Sequence, residues 1–257
     1  MATSISILIA DDDIGTAGVL AGVLEGSGYT VELAAGGPEA LARFKARPFD
    51  VVFLDLRMPG MNGLEVFRRM RPTARVPTIL MTAYPLAHEM AEAAREGFVA
   101  LLAKPLPLEP LLEFVAALAA GWTILLLESD PALAGTLRGA LEAAGHRVTW
   151  ASDGATALRA AESESFALAI LDLGAGPGPE VLRGIRALRP SLPLLAFGHG
   201  AQGDGAADYD VPAGADWMLG PVEAGKVLYR VRMAQARAAA KRFLPPGANA
   251  TPPPTAP

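Results

Sequence analysis

Two adjacent aspartates, Asp11 and Asp12, a third at Asp55, a threonine at Thr82 and a lysine at Lys104 each follow directly on a short apolar run: "ILIA", "VVFL", "TILM" and "LLA". If these runs are strands of one open parallel sheet, ligands collect at their carboxyl ends, and the five polar side chains converge on one rim. Three carboxylates about 4 Å apart repel by roughly 4 kcal/mol per pair at an effective dielectric near 20. A hard divalent cation with oxygen ligands relieves that repulsion, and Mg2+ suits a site that offers a few carboxylates plus phosphate oxygens. Asp55 is the candidate nucleophile, because a carboxylate can take a phosphoryl group as an acyl phosphate. Lys104 and the metal would neutralise charge on the transferred group, and the Thr82 hydroxyl could donate to one of its oxygens. Any one aspartate alone reads as a turn or helix cap, Asp11, Asp12 and Asp13 included. The combination with Thr82 and Lys104 is what carries the chemistry.

The elements that must hold these residues follow from the apolar pattern. Runs Ile5 to Ala10, Thr30 to Ala34, Val51 to Leu54, Thr78 to Met81 and Leu101 to Ala103 read as strands, and the stretches near 14–27, 38–46, 63–71, 86–96 and 108–119 as helices. Strands alternating with amphipathic helices predict a parallel α/β sheet, and near-continuous apolar strands such as "VVFL" are expected when helices cover both faces. The rhythm restarts at Trp122 with "TILLL", "RVTWA", "LAIL", "PLLAF" and "WML". Asp11 to Glu128 and Asp55 to Asp172 are both 117 apart, while Pro77 to Pro193, Lys104 to Gly220 and Pro105 to Pro221 are 116 apart. That internal repeat predicts an α/β chain of two tandem (βα)5 flavodoxin-like, doubly wound, five-stranded parallel sheets. The expected domains are 1–120 and 121–244, followed by a disordered Pro/Ala-rich tail at 245–257.

Composition sets the outer limits. A length of 257 residues suits two ordinary domains, and a net charge of -5 with no basic domain argues against nucleic-acid binding. There are no cysteines, hence no disulfides or thiolate metal sites. "MATSIS" lacks the character of a signal peptide, so a cytoplasmic location is expected. The run "FVAALAAGWTILLL" has 14 residues, short of the roughly 20 that cross a bilayer, and reads as a helix end leading into a buried strand.

The segments "ILIADDD", "VVFLDLRMPGMNG", "ILMTA" and "LLAKPLP" resemble the signature of a response-regulator receiver domain of the CheY-like family, over residues 4 to 119. The resemblance implies a two-component phosphoacceptor in which Asp55 is phosphorylated, Asp12 ligates Mg2+ directly, Asp11 does so through water and Arg57 lends its backbone carbonyl. It also implies that Lys104 pairs with the phosphoryl group and that the Lys104–Pro105 bond is cis. Where the family often has Tyr or Phe as a switch, three residues before the lysine, this chain has Leu101, with Phe98 nearby.

The second copy, Trp122 to Arg237, resembles the same domain with a depleted rim. Glu128 and Asp172 remain, whereas Asp12 is matched by Ser129, Thr82 by Gly198 and Lys104 by Gly220. It has charge enough for weak metal binding but lacks the donors that stabilise a phosphoryl group, so it reads as a pseudo-receiver. Trp217 falls at its switch position, and "GAGPGP" replaces the loop after the phosphoacceptor. His88 reads as a surface helix residue. Lys226, Arg230, Arg232, Arg237, Lys241 and Arg242 read as a solvated basic face.

The resulting expectation is a phosphoacceptor, not an enzyme, without a DNA-binding or enzymatic output domain. A sensor histidine kinase or phosphotransfer protein would phosphorylate it, and it would signal to a downstream protein target, with a homodimer as a further partner. The competing reading is a scaffold indifferent to phosphate. A metal-dependent phosphatase is disfavoured because "DLR" lacks a second acid two residues after Asp55, and no helix-turn-helix follows residue 237.

Overall fold

Every strand among the described residues is four or five residues long and pairs in parallel with its neighbours. A computed structural model describes residues 5–71, 76–84, 95–174, 178–198, 215–218 and 222–241. The chain divides into two compact units, Met1–Ala119 and Ala120–Val231, with the end of the last helix, from Arg232, grouped with the first. The repeat spacing alone would have kept that whole helix with the second copy.

In the first unit β1 (Ser6–Ala10), α1 (Ile14–Gly26), β2 (Thr30–Ala34), α2 (Gly37–Ala46), β3 (Val51–Asp55), α3 (Gly63–Met70), β4 (Thr78–Thr82), β5 (Ala100–Ala103) and α4 (Leu108–Ala119) follow in order. The strands lie in the order β2-β1-β3-β4-β5. Every residue of β3 and β4 is buried, which is why both read as unbroken apolar runs. Leu8, Ala10, Val52, Leu54 and Leu80 join Val66, Phe67 and Met70 of α3 in one core. The alternate residue Phe53 meets Phe114 of α4 edge-on at 6.4 Å between centroids, so helices cover both faces. Strands β3 and β4 each run one residue further than their apolar stretch, placing Asp55 and Thr82 inside the ladder; β1 begins at Ser6 and β5 already at Ala100. The segment read as a helix near 86–96 lies, up to residue 94, outside the described residues.

Local signals set the helix starts. The Asp13 carboxylate accepts the Thr16 amide at 3.1 Å and the Asn62 side chain accepts the Glu65 amide at 2.8 Å, each satisfying a backbone donor that a first helical turn leaves open. Gly63 is required at the start of α3: a Cβ there would stand 2.4 Å from the Asp55 carbonyl oxygen.

The second unit holds β6 (Thr123–Leu127), α5 (Pro131–Ala143), β7 (Arg147–Ala151), α6 (Gly154–Ser163), β8 (Leu168–Asp172), α7 (Gly178–Leu188), β9 (Leu194–Phe197), β10 (Ala215–Met218) and the part of α8 (Ala224–Ala240) up to Val231, the rest of α8 belonging to the first unit. Its sheet runs β10-β9-β8-β6-β7, the first unit's strand order read from the other edge. Two apolar clusters cover its faces, one built on Leu125, Leu127, Ala169 and Leu171 and the other on Ile124, Leu126, Leu168 and Ile170. The apolar run at residues 114–127 is the end of α4 followed by β6, and no described helix is long and apolar enough to cross a membrane. Of the basic residues on and just after α8, Lys226 and Lys241 are exposed and Arg230, Arg232 and Arg237 are half-buried; Arg232 pairs with Asp50 and Lys226 with Glu223 at 2.7 Å, while Val227, Val231, Met233, Gln235 and Ala236 are buried. Arg242, His88 and the tail at 245–257 lie outside the described residues.

Candidate functional site

Strand register brings the chemistry of the first unit together. Ala10 pairs with Leu54 and Thr82 with Ala103, so Asp11 emerges level with Asp55, and Lys104 leaves β5 one step beyond Thr82. Asp11 and Asp55 are buried, Thr82 is fully so, and Asp12 is exposed at the mouth. The Lys104 ammonium donates to Asp11 Oδ2 at 2.6 Å and stands 3.3 Å from Asp55 Oδ2. Backbone amides complete the cage: Asp13 N–H donates to Asp11 Oδ1 at 3.0 Å, and Arg57 N–H donates to the Asp55 carboxylate. The Lys104–Pro105 peptide is cis.

Electrostatics follow from this packing. Burial pushes the Asp55 carboxyl above the ordinary carboxylate range, opposed by Lys104 and reinforced by the charge on Asp11. Burial also works against the Lys104 charge, but its hydrogen bond to Asp11 and the nearby Asp55 carboxylate outweigh this and raise it. One ammonium thus serves two buried carboxylates with a third carboxylate at the mouth. Asp11, Asp12 and Asp55 each offer an oxygen, all within 4.8 Å of one another. Three hard oxygen donors at this spacing suit Mg2+, and receiver domains bind Mg2+ through such acidic residues.

Some partners in the site have no signature in side-chain identity. Among the described residues the Thr82 hydroxyl hydrogen-bonds to Tyr84 backbone atoms, accepting from its N–H at 3.3 Å and donating to its carbonyl at 3.4 Å, while the Tyr84 ring is 71% exposed. A main-chain partner of this kind follows from the turn after β4 and not from the residue type. The Arg57 side chain is exposed, so its tie to Asp55 is the backbone amide. Leu101 is half-buried against the core that holds Phe98, and the Phe98 ring lies 4.0 Å from that of Phe67 on α3.

The second unit keeps the strand order and two acids of the rim. Glu128 and Asp172 are buried at the ends of β6 and β8. Asp130 N–H donates to Glu128 Oε1 at 2.8 Å, and Gly174 N–H donates to Asp172 Oδ1 at 2.8 Å. Ser129 is exposed and Gly198 is half-buried just after β9. Trp150 donates its indole N–H to the Glu128 carbonyl at 2.9 Å. Gly220, the Trp217 side chain and residues 175–177 lie outside the described residues.

The model of the response regulator receiver domain matches residues 7–116. Transcriptional regulatory protein ZraR of Klebsiella oxytoca is 36% identical over 108 residues, covering 42% of this chain and 24% of that protein. The chain thus spans about a quarter of the length of that relative. Chemotaxis protein CheY4 of Vibrio cholerae is 31% identical, with a TM-score of 0.43, covering 44% of this chain and 98% of that one. Response regulator receiver protein Anae109_2439 of Anaeromyxobacter sp. (strain Fw109-5) is 32% identical over 192 residues, 73% of this chain and 80% of that protein. An alignment of 192 residues is longer than either unit and therefore crosses the junction at Ala120. With a receiver protein matched across most of its own length and a receiver domain at residues 7–116, this chain belongs to the response regulator receiver family of two-component signalling.

Proposed function

We propose that the first unit is an Asp55 phosphoswitch and that the second is a degenerate receiver that takes no phosphoryl group. The observation that carries this reading is the placement of Lys104 at 2.6 Å from Asp11 and 3.3 Å from Asp55, with Asp12 within 4.8 Å at the mouth. An Asp55 carboxylate oxygen attacks phosphorus while the bond from phosphorus to the donor nitrogen of a phosphohistidine breaks, its electron pair remaining on the imidazole. Lys104 exchanges its carboxylate contacts for an oxygen of the incoming group, and Thr82 turns its hydroxyl from Tyr84 to another. Asp11, Asp12, Asp55 and the Arg57 carbonyl would hold Mg2+, which supplies electrostatic stabilisation of the phosphoryl oxygens.

A receiver implies a histidine kinase or phosphotransfer protein as donor. The proposed output is a change in protein–protein contact, with the second unit as reader or dimerisation module. The alternative, a scaffold indifferent to phosphate, leaves two buried carboxylates with a third at their mouth without a purpose. Borohydride reduces an aspartyl phosphate to homoserine. After incubation with acetyl phosphate and Mg2+, peptide mapping is expected to find homoserine at position 55 alone; its absence there, or its appearance at position 172, would sink the corresponding half of the proposal.

A further inference from the structure

The loop between Asp55 and α3 carries the Arg57 amide that holds the Asp55 carboxylate, so its position sets the geometry of the reacting group. Gly63 fixes the loop from behind, as described above. Its other flank is closed by a residue outside the four signature segments. A Cβ on Gly37, at the first turn of α2, would stand 2.7 Å from Met61 Cβ, 2.8 Å from the Met61 carbonyl oxygen and 2.9 Å from Met61 Cγ. Contacts this short to backbone and to the root of a side chain cannot be relieved by a rotamer change, so the backbone of the loop or of the start of α2 must shift. The loop has little slack, because Gly60 turns it at a φ of 77°, Met61 N–H donates to the Pro59 carbonyl at 2.9 Å and Asn62 caps α3. The neighbouring Gly36, at a φ of 169°, has open space where its Cβ would be.

We infer that Gly37 is a positioning residue for the phosphoacceptor: by admitting Met61 against the backbone of α2, it sets the loop that orients Arg57 and Asp55. In the second unit Gly154 opens α6 and Gly178 opens α7. A Cβ on Gly178 would stand 2.4 Å from the Leu173 carbonyl oxygen.

The inference rests on the phosphoacceptor reading, and its test keeps the two apart. In the full chain, Mg2+ affinity is measured by calorimetry as the binding abolished by Asp12→Ala, phosphoryl uptake from acetyl phosphate by intact mass, and stability by thermal unfolding. Gly37→Ala is expected to weaken Mg2+ binding at least tenfold and to slow uptake by a similar factor. Gly36→Ala is expected to change neither by more than twofold, and Gly37→Ala combined with Met61→Gly, which removes two of the three short contacts, to recover most of both. If Gly37→Ala fails to fold, the double variant decides: it must fold and bind Mg2+ within threefold of wild type. A lowered unfolding temperature with unchanged Mg2+ affinity, an equal loss in Gly36→Ala, or a double variant that does not recover overturns the inference. A wild type that takes up neither Mg2+ nor a phosphoryl group overturns the phosphoacceptor reading and this inference with it.

Discussion

Lys104 is the residue on which the first site balances. Its ammonium is the cation that Asp11 and Asp55 share, and the Asp11 side chain is only 2% exposed. Removing one partner of a buried pair leaves an uncompensated charge, at a cost of about 3 kcal/mol. Lys104→Ala is therefore expected to destabilise the first unit by about 3 kcal/mol in metal-free buffer, with millimolar Mg2+ restoring a large part. All three tryptophans lie in the second unit, so hydrogen exchange at Val51–Asp55 under increasing urea is the readout that isolates the first. Asp55 behaves in the opposite sense. Burial leaves it binding its proton more tightly in the fold than at the ordinary value of 3.8. That contribution to stability is complete below 3.8 and is lost as pH rises through the raised value. In metal-free buffer Asp55→Asn is expected to be more stable than wild type at neutral pH, the gap narrowing as the pH is lowered toward about 4. A gap that widens on acidification would contradict the assigned direction. The types and spacing of Asp11, Asp12, Asp55, Thr82 and Lys104 made this site legible in the sequence, because each follows an apolar strand. The backbone partners of Thr82 and Asp55 were not legible, since any residue type can supply an amide.

At the scale of elements, the site depends on where strands stop and helices begin. Asn62 caps α3 through the Glu65 amide at 2.8 Å, immediately before the glycine that abuts Asp55. Asn62→Ala is expected to cost about 1 kcal/mol by urea unfolding, and Asp130→Ala a similar amount in the second unit, where Asp130 caps α5 through the Ala132 amide at 2.8 Å. Phe114 is fully buried against Phe53 of β3, so Phe114→Ala is expected to cost about 3–5 kcal/mol. Period-2 and period-3.6 patterning located the elements in the sequence, and the differences fall at their ends. Asp55 and Thr82 are polar, which ends an apolar run, yet their backbones still pair in the ladder. The solvated face expected on α8 is met at Lys226 and Lys241, which are exposed, and only in part at Arg232, because residue type shows charge but not the presence of Asp50 beside it.

At the scale of the whole molecule, two sheets of the same strand order carry unequal chemistry. The constant offset between Asp11 and Glu128, and between Asp55 and Asp172, made that repeat visible in the sequence, because backbone frames preserve spacing even where side chains change. Both acids of the second rim receive backbone amides as their first-unit counterparts do, while Ser129 and Gly198 offer neither a carboxylate nor, in the glycine, a hydroxyl. Asp55 is accordingly proposed as the single phosphoacceptor of the two units. The most direct test is intact mass after incubation with Mg2+ and acetyl phosphate, for wild type, Asp55→Ala and Asp172→Ala. A single added phosphoryl group is expected on wild type and on Asp172→Ala, and none on Asp55→Ala; two groups on wild type, or one surviving Asp55→Ala, would contradict a single Asp55 phosphoacceptor.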